Sequence, residues 1–284
     1  MRPRLAIIGV GFMGASLAAA ARAAGCVSEI VGFDTDRESL EIARARGFID
    51  REAATLADID ADLVVLATPV GTLPGLLATL APGLRAGTVV SDMGSVKEPV
   101  AQAAQALGLR GFIPGHPFAG SERSGAAAAR ADLFTGRVVA LTPMPGHDEA
   151  ALARVRGLWE ALGAHVRLLS PADHDRIAAY TSHLPHLLAF ACAGLLADEA
   201  RARDLYSFAG DGLRDFLRIA GSDPVMWRDI CAANADVLGP VLAAYGERLA
   251  AYGEALAEGR PAALAEAFAR ARDFQETLKT RGPA

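Results

Sequence analysis

The chain has 284 residues, which is enough for one large domain or two of ordinary size. Its hydrophobic fraction of 52%, its charged fraction of 21% and its net charge of -5 are typical of a globular protein and argue against nucleic-acid binding. The three cysteines are far apart, and we find no signal peptide and no apolar run that could span a membrane, so we expect a cytoplasmic protein.

The first elements of the chain predict a nucleotide-binding turn. Residues 5–8 form an apolar run that indicates a buried strand, and the pattern G-x-G-x-x-G occupies residues 9–14 directly after it. An alanine-rich segment up to Gly25 predicts a helix, and residues 30–33 predict a second strand that is closed by Asp34. A glycine pattern between strand and helix, with an acid about 20 residues further on, indicates dinucleotide binding.

Each position of this turn has a physical role in such a site. Gly9 permits the tight turn, Gly11 lets the backbone approach the pyrophosphate, and Gly14 lets helix and strand pack closely. Phe12 and Met13 open the helix, whose N–H groups would face the phosphates. We therefore assign these residues to cofactor binding. The other interpretation is a glycine-rich turn without a ligand.

Asp34 bears on the choice of cofactor. Its carboxylate can accept hydrogen bonds from the ribose hydroxyls and would repel a 2′-phosphate, which favours NAD over NADP. Thr68 and Pro69 follow the next predicted strand, residues 63–67, at the same edge of the sheet. We expect them beside the cofactor as well.

The alternation of strands and helices continues to residue 169. Further strands are predicted at 88–90, 111–113, 138–141 and 166–169, and helices at 36–46, 71–80, 95–107 and 148–162. This order predicts an α/β domain over residues 1–168 with a Rossmann-type, doubly wound and mostly parallel sheet. The strand ends, and with them Asp92 and His116, should converge on one cleft.

No strand is predicted after residue 169. Helices are indicated at 171–198, 200–208, 211–220, 224–257 and 261–280, which predicts an all-α C-terminal domain over residues 169–284. Pro185 and Pro240 fall inside these helices and should kink or split them.

A heptad pattern runs along the helix predicted at 224–257. Its members alternate in steps of four and three: Leu238, Leu242, Tyr245, Leu249, Tyr252 and Leu256. Such a pattern packs either against another helix of the same chain or against a second subunit. The two can coexist in an intertwined dimer.

His116 lies in a glycine-rich segment, residues 115–125, which predicts a loop at a strand end. A histidine titrates near neutrality, so it can take a proton from a hydroxyl while a hydride leaves the same carbon. Its place beside the predicted cofactor makes His116 the candidate catalytic base. The competing interpretation is a structural or exposed histidine in a turn.

Ser95 and Lys97 lie just after the strand predicted at 88–90. Ser95 can cap the following helix, or point its hydroxyl at the substrate or at His116. Lys97 in the first turn of that helix is disfavoured by the helix dipole, which indicates an anionic neighbour. We expect Lys97 to contact the substrate.

Histidines recur in the first helix of the helical half. His183 and His186 are three residues apart and share a helix face, which indicates a polar patch toward the cleft. Together with His174 and Asp175 they do not form a familiar zinc spacing, so we expect no metal.

Arg218 lies between two apolar residues and needs an anionic partner. That partner is either a carboxylate of the substrate or a carboxylate of the protein, such as Asp215. The first alternative makes Arg218 a candidate for substrate binding.

These motifs resemble the prephenate/arogenate dehydrogenase family of tyrosine biosynthesis. Besides the glycine pattern, the resemblance rests on D-x-G-S-V-K at 92–97, G-H-P-x-x-G-S-E-x-S-G at 115–125, S-H-L-P-H at 182–186 and R-D-x-x-R-I-A at 214–220. It implies oxidative decarboxylation, in which prephenate loses a hydride from C4 to NAD and its ring carboxylate as CO2. The product is 4-hydroxyphenylpyruvate, or tyrosine if arogenate is the substrate.

The resemblance also implies roles for single residues. His116 matches the histidine that takes the proton of the 4-hydroxyl, Ser95 matches the serine that orients it, and Arg218 matches the arginine that holds the ring carboxylate. His186 resembles the histidine that guards substrate entry, with His183 as the alternative. The family forms dimers through its helical domain, in agreement with the heptad pattern.

Two other classes of protein stay open. A β-hydroxyacid-type dehydrogenase of similar build would carry a lysine on the helix at 171–198, where this chain has none. A non-catalytic NAD-binding regulator would not need the catalytic set of residues together. For the choice between prephenate and arogenate, Glu122 and Asp132 are candidates by position.

Overall fold

The computed structural model describes residues 2–120, 123–200 and 204–281, so the specificity candidate Glu122 lies outside the described residues. The chain folds into two compact units, Met1–Asn234 and Ala235–Ala284. The functional boundary between residues 168 and 169 is a different division, and it stays a prediction.

A six-stranded parallel sheet forms the centre of the first unit. Its strands are β1 (Arg4–Ile8), β2 (Glu29–Phe33), β3 (Arg51–Glu52), β4 (Leu63–Leu66), β5 (Val89–Asp92) and β6 (Phe112–Ile113), in the order β3-β2-β1-β4-β5-β6. Every neighbouring pair is parallel. The order reverses between β1 and β4, which is where ligands bind in such sheets. The predicted Rossmann-type fold is confirmed.

Helices cover both faces of this sheet. They are α1 (Phe12–Ala24), α2 (Arg37–Ala45), α3 (Leu73–Leu80), α4 (Glu98–Ala106) and α5 (Glu149–Ala161). Because side chains alternate along a strand, Leu5 and Ile7 pack in the core under α1, α2 and α5, whereas Ala6 and Ile8 pack in the core under α3 and α4.

A second sheet carries the segment that we predicted as a loop. It consists of β7 (Gly115–Pro117), β8 (Val138–Leu141) and β9 (His165–Leu168), with β7 antiparallel to β8 and β8 parallel to β9. The loop prediction was therefore wrong for the first three residues of 115–125. His116 is opposite Ala140 in this pairing, so a strand and not a flexible turn holds the histidine.

The following helices are α6 (Pro171–Ala178), α7 (Leu184–Ala200), α8 (Asp211–Leu217) and α9 (Pro224–Ala233). The helix predicted at 171–198 is interrupted by one π-helical turn, Ala179–His183, which ends two residues before Pro185. In the part of 200–208 that is described, only the 3-10 turn Tyr206–Phe208 is helical after Ala200. The segment predicted as helix at 211–220 ends in a 3-10 turn, Arg218–Gly221.

Two predicted helix boundaries were wrong, and polar contacts explain both. The helix expected at 95–107 begins only at Glu98, and its first amides are capped by Asp175 rather than by Ser95. The helix expected at 224–257 is divided at Asn234, whose side chain donates to the backbone carbonyl oxygen of Asp175 and contacts His183.

The second unit consists of α10 (Ala235–Ala257) and α11 (Pro261–Arg281). Pro240 lies inside α10 and does not split it, so of the two predicted effects, a kink or a split, the split is excluded. Tyr252 of the heptad pattern contacts Phe268 of α11 with ring centroids 5.6 Å apart, whereas Leu242, Leu249 and Leu256 are exposed in this chain. In the described residues, no helix combines the length and the apolar character that crossing a bilayer requires.

Candidate active site

The glycine-rich turn between β1 and α1 has the geometry of a dinucleotide cradle. Gly9 has φ +93°, a conformation that other residues rarely adopt, and a Cβ at Gly14 would overlap the carbonyl oxygen of Gly9. In contrast, no described atom lies within 4 Å of a Cβ added at Gly11. The turn is therefore closed where it must pack and open where a pyrophosphate would approach.

The first amides of α1 are available to such a ligand. Gly11 is the N-cap, and no side chain of the described chain caps the helix, which begins with Phe12 and Met13. Uncapped N–H groups at a helix start attract anions. The residues present thus fit a dinucleotide.

Asp34 holds this turn from the end of β2. Its carboxylate accepts hydrogen bonds from the backbone N of Val10 at 2.6 Å and of Asp36 at 2.9 Å, and the residue remains partly exposed. Each oxygen keeps a further acceptor site for a ribose hydroxyl. Thr68 and Pro69 follow β4 at the same edge, where the hydroxyl of Thr72 donates to the carbonyl oxygen of Pro69 at 2.7 Å and lies 2.8 Å from the hydroxyl of Thr68.

His116 is the first member of a buried chain of hydrogen bonds. Its Nδ1 lies 2.8 Å from Nε2 of His174, and Nδ1 of His174 lies 2.7 Å from Oδ1 of Asp175. Asp175 also accepts from the backbone N of Lys97 at 2.7 Å and of Glu98 at 2.8 Å. The carboxylate is thereby fixed at the positive end of α4.

This chain determines which nitrogen of His116 is basic. An ionised carboxylate only accepts, so Nδ1 of His174 must donate to Asp175 and its Nε2 must accept when the ring is neutral. His116 then donates through Nδ1, which leaves Nε2 with the lone pair. Burial, followed by the neighbouring His174, Lys97 and His183, holds the pKa of His116 well below its usual range. Burial also lowers the pKa of His174, against the opposing effect of Asp175.

Lys97 does not have the position that we predicted for a substrate ligand. The side chain is completely buried, and its ammonium group donates to the carboxylate of Asp92 and, at 2.8 Å, to the carbonyl oxygen of Gly115. Burial lowers the pKa of Lys97, and the adjacent Asp92 opposes that effect. Because Asp92 also accepts from the backbone N of Gly115, the pair anchors the start of β7 next to His116.

Ser95 lies in the loop between β5 and α4 and is half-buried. This loop follows the carboxyl end of β5, the strand next to β4 in the sheet. The backbone carbonyl of Ser95 is close enough to His183 to affect the pKa of that histidine. Ser95 and the S-H-L-P-H motif are thus brought together.

The two histidines of that motif have different surroundings. His183 is completely buried, with Nδ1 3.1 Å from Nδ2 of Asn234, and burial lowers its pKa to about 4. His186 is only partly buried and stacks on Trp227, with ring centroids 3.6 Å apart and planes 18° apart. His183 is the last residue of the wide π-helical turn, and His186 follows it in the first turn of α7.

Arg218 occupies the 3-10 turn after α8 and is exposed. Its guanidinium group helps to lower the pKa of His186, after the larger effect of burial. The two residues therefore lie close enough to interact electrostatically.

Two family models match consecutive parts of the chain. "Prephenate dehydrogenase, nucleotide-binding domain" matches residues 17–168, and "Prephenate dehydrogenase, dimerization domain" matches residues 170–270. The chain belongs to the prephenate dehydrogenase family.

Individual family members are similar along most of the chain. A cyclohexadienyl dehydrogenase from Zymomonas mobilis is 36% identical over 84% of this chain and 83% of its own length. A prephenate dehydrogenase from Bacillus subtilis is 36% identical over 83% of this chain, but only 65% of its own length is covered. The crystal structure of the A. aeolicus prephenate dehydrogenase with hydroxyphenyl propionate and NAD+ has a TM-score of 0.91 at 33% identity, and 96% of this chain and 97% of that one are covered.

Three residues of this prephenate dehydrogenase family member were missed as parts of the site. His174 and Asp175 entered the sequence reasoning only as possible metal ligands, and Trp227 did not enter it at all. A signal for the first two was present: His174 and Asp175 stand next to each other on the face of α6 that also carries the apolar Ala178, and all three are buried. Adjacent polar residues on a buried helix face need partners inside the protein.

Proposed function

We propose that this protein is an NAD-dependent dehydrogenase of tyrosine biosynthesis that converts prephenate to 4-hydroxyphenylpyruvate, or arogenate to tyrosine, by oxidative decarboxylation. The observation that carries the proposal is the hydrogen-bonded chain from His116 to Asp175, because it provides a basic nitrogen on β7, whose first residue is hydrogen-bonded to Asp92 at the carboxyl end of β5. Membership of the prephenate dehydrogenase family supports the same reaction.

His116 is the catalytic base of this reaction. Its Nε2 takes the proton of the 4-hydroxyl, and the charge that forms on its ring is stabilised through His174 by the carboxylate of Asp175. The bound cofactor supplies the acceptor for the hydride from C4. The bond from the ring to its carboxylate then breaks, CO2 leaves, and the ring becomes aromatic.

The other polar residues orient the substrate. We assign Ser95 to the substrate hydroxyl and His116, and Arg218 to the ring carboxylate, since a guanidinium group binds a carboxylate with two parallel hydrogen bonds. His186 is the partly exposed histidine of its motif and is assigned to the entrance, whereas His183 is assigned to the interior of the site. Lys97 acts on the site by anchoring β7 and not as a ligand.

The cofactor is NAD, held by the turn between β1 and α1. Gly9, Gly11 and Gly14 shape the turn, and the amides that begin with Phe12 and Met13 face the pyrophosphate. Asp34 accepts from the ribose, and its charge disfavours a 2′-phosphate. Thr68 and Pro69 line the adjacent strand end.

We also propose a homodimer, because the dimerization-domain model matches residues 170–270 and apolar heptad residues of α10 are exposed in the single chain. In this proposal residues 1–168 bind the cofactor, residues 169–284 bind substrate and form the dimer, and the enzyme acts in the cytoplasm on small molecules, without nucleic acid or membrane partners.

The reaction is tested by mixing the protein with NAD and prephenate, or with NAD and arogenate, and following the absorbance of reduced nicotinamide. Substrate-dependent reduction of NAD with CO2 release is expected, and NADP should be used less well. The absence of reduction with both substrates over a range of pH would exclude this enzyme and leave the NAD-binding regulator. Reduction of NAD by a β-hydroxy acid, without release of CO2, would instead support a β-hydroxyacid-type dehydrogenase. The absence of lysine from residues 171–200 argues against that class.

A further inference from the structure

Asn234 is the single asparagine of the chain, and it is buried. It lies between α9 and α10, where it ends the first helix. Its Nδ2 donates to the backbone carbonyl oxygen of Asp175 at 2.9 Å and lies 3.1 Å from Nδ1 of His183. One amide group thus joins the residue that supports His116 to the S-H-L-P-H motif.

The carbonyl oxygen of Asp175 fixes the orientation of this amide. A carbonyl oxygen only accepts, so the nitrogen end of the Asn234 side chain must face it, and the reversed orientation would place two acceptors together. The same nitrogen then presents its second hydrogen to His183. Nδ1 of His183 is therefore the acceptor, and the proton of the neutral ring is on Nε2.

Nε2 of His183 is buried and has no hydrogen-bond partner among the described residues. A buried N–H group without a partner is costly and is uncommon in folded proteins. The backbone carbonyl of Ser95 is close enough to raise the pKa of His183 but forms no hydrogen bond with Nε2, so this N–H group remains free to donate to a bound ligand.

We propose that Asn234 is a positioning residue that holds His183 as an Nε2–H donor for an anionic oxygen of the bound substrate. The proposal rests on the proposed function, since that function supplies a substrate with two carboxylates. Asp175 connects the two halves of the arrangement: its side chain, through His174, makes His116 an acceptor, and its backbone, through Asn234, makes His183 a donor.

The substitution Asn234→Asp reverses the hydrogen bond to His183 without a large change in volume, and it also removes the donation to the backbone carbonyl oxygen of Asp175. A carboxylate at this position only accepts, so His183 would carry its proton on Nδ1 or become charged. The charged and titratable groups that already act on His183 are Asp175, which raises its pKa, and His174 and His186, which lower it. A new carboxylate would raise the pKa of His183 further.

The position of the proton can be read directly in the NMR spectrum. The chain has six histidines, so 15N-histidine labelling gives few signals, and His183→Gln identifies the one that matters. We expect the Nε2–H form of His183 in the unmodified protein, and the Nδ1–H or charged form in Asn234→Asp. An Nδ1–H form in the unmodified protein would overturn the proposal, whether or not any variant folds.

Kinetics separate positioning from a structural role. At neutral pH Asn234→Asp should lower kcat/KM for prephenate at least about tenfold while the KM for NAD is unchanged, because a hydrogen bond to a charged group is lost. As the pH falls, His183 of the variant becomes charged and donates from both nitrogens, so the ratio of variant to unmodified kcat/KM should rise. Ala232→Asp, which adds the same charge on the exposed surface of α9, is the control.

A ratio that does not change with pH, together with the expected NMR spectra, would overturn the role of Asn234 in substrate binding and leave the proposed function intact. If instead neither prephenate nor arogenate is turned over, the proposed function fails. The NMR result would then still decide whether Asn234 sets the proton of His183.

Discussion

Nδ1 of His116 and Nε2 of His174 lie 2.8 Å apart, and both rings are buried. Only one hydrogen can occupy this contact when both rings are neutral, and Asp175 decides that it belongs to His116. A change two residues away along the hydrogen bonds should therefore reach the reacting nitrogen.

Asp175→Asn is expected to lower kcat about 10³- to 10⁴-fold, because a neutral amide no longer stabilises the charge that forms on His116 and, with one accepting oxygen, cannot accept from His174 and from the amides of Lys97 and Glu98 together. NAD affinity, measured by fluorescence titration, should be unchanged. The control is Asp173→Asn, which removes an exposed acid from the same turn. Full turnover of Asp175→Asn would show that Asp175 does not support the catalytic base.

His116→Asn should lower kcat about 10²- to 10⁴-fold with little effect on NAD binding, since the variant lacks a group that can accept the hydroxyl proton. Single-turnover experiments with saturating NAD would measure the chemical step. A variant that kept its turnover would show that another residue is the base.

Arg218→Ala should mainly raise the KM for prephenate, by about 10- to 100-fold, because a charge-assisted contact to a carboxylate is lost. Arg214→Ala is a matched control, since Arg214 is on the preceding helix α8 and donates to the carbonyl oxygen of Ala209. Steady-state kinetics of both variants test this assignment. Equal increases of the KM for prephenate in the two variants would show that Arg218 does not bind the ring carboxylate.

Gly11→Ala and Gly14→Ala should separate binding from folding. A methyl group at Gly11 enters open space, so the protein should keep its melting temperature but bind NAD at least about tenfold more weakly. A methyl group at Gly14 overlaps the backbone of Gly9, so that variant should lose about 1–3 kcal/mol of stability or more. Calorimetry and NAD titration test the pair, and tight NAD binding by Gly11→Ala would place the pyrophosphate elsewhere.

Acid should destabilise the fold through its buried histidines. Burial lowers the pKa of His183 from 6.5 to about 4, so below pH 6.5 the unfolded chain binds a proton that the folded protein excludes. The contribution of His183 is complete above pH 6.5 and is lost as the pH falls to about 4, for a total of about 3 kcal/mol. Urea unfolding at several pH values measures this slope. His183→Gln should flatten it, whereas exposed His165→Gln should not.

The sequence predicted correctly those parts of the site whose residues belong to consecutive elements of the chain. The turn from Gly9 to Gly14 and the acid Asp34 belong to consecutive elements, so spacing alone placed them. The pairing of His116 with His174 spans 58 positions and the capping of α4 by Asp175 spans 77, and no local pattern encodes such contacts. Ser95 shows the limit most clearly, because a local rule predicted a cap that a distant carboxylate provides.

Similar reasoning explains the error at Lys97. Its place at the start of a helix indicated an anion nearby, which is correct, but the anion is Asp92 of the protein and not the substrate. Burial distinguishes these alternatives, and burial of one side chain depends on the packing of the whole unit.

The contact between Asp175 and the start of α4 joins the predicted cofactor-binding domain to the predicted helical domain. The predicted boundary at residue 168 leaves the glycine turn on one side and both His174 and Asp175 on the other. A fragment that ended there could retain its nucleotide, yet its histidine would lack the support that makes it a base. Neither part alone can therefore supply the complete catalytic group, which requires residues from both parts in one chain.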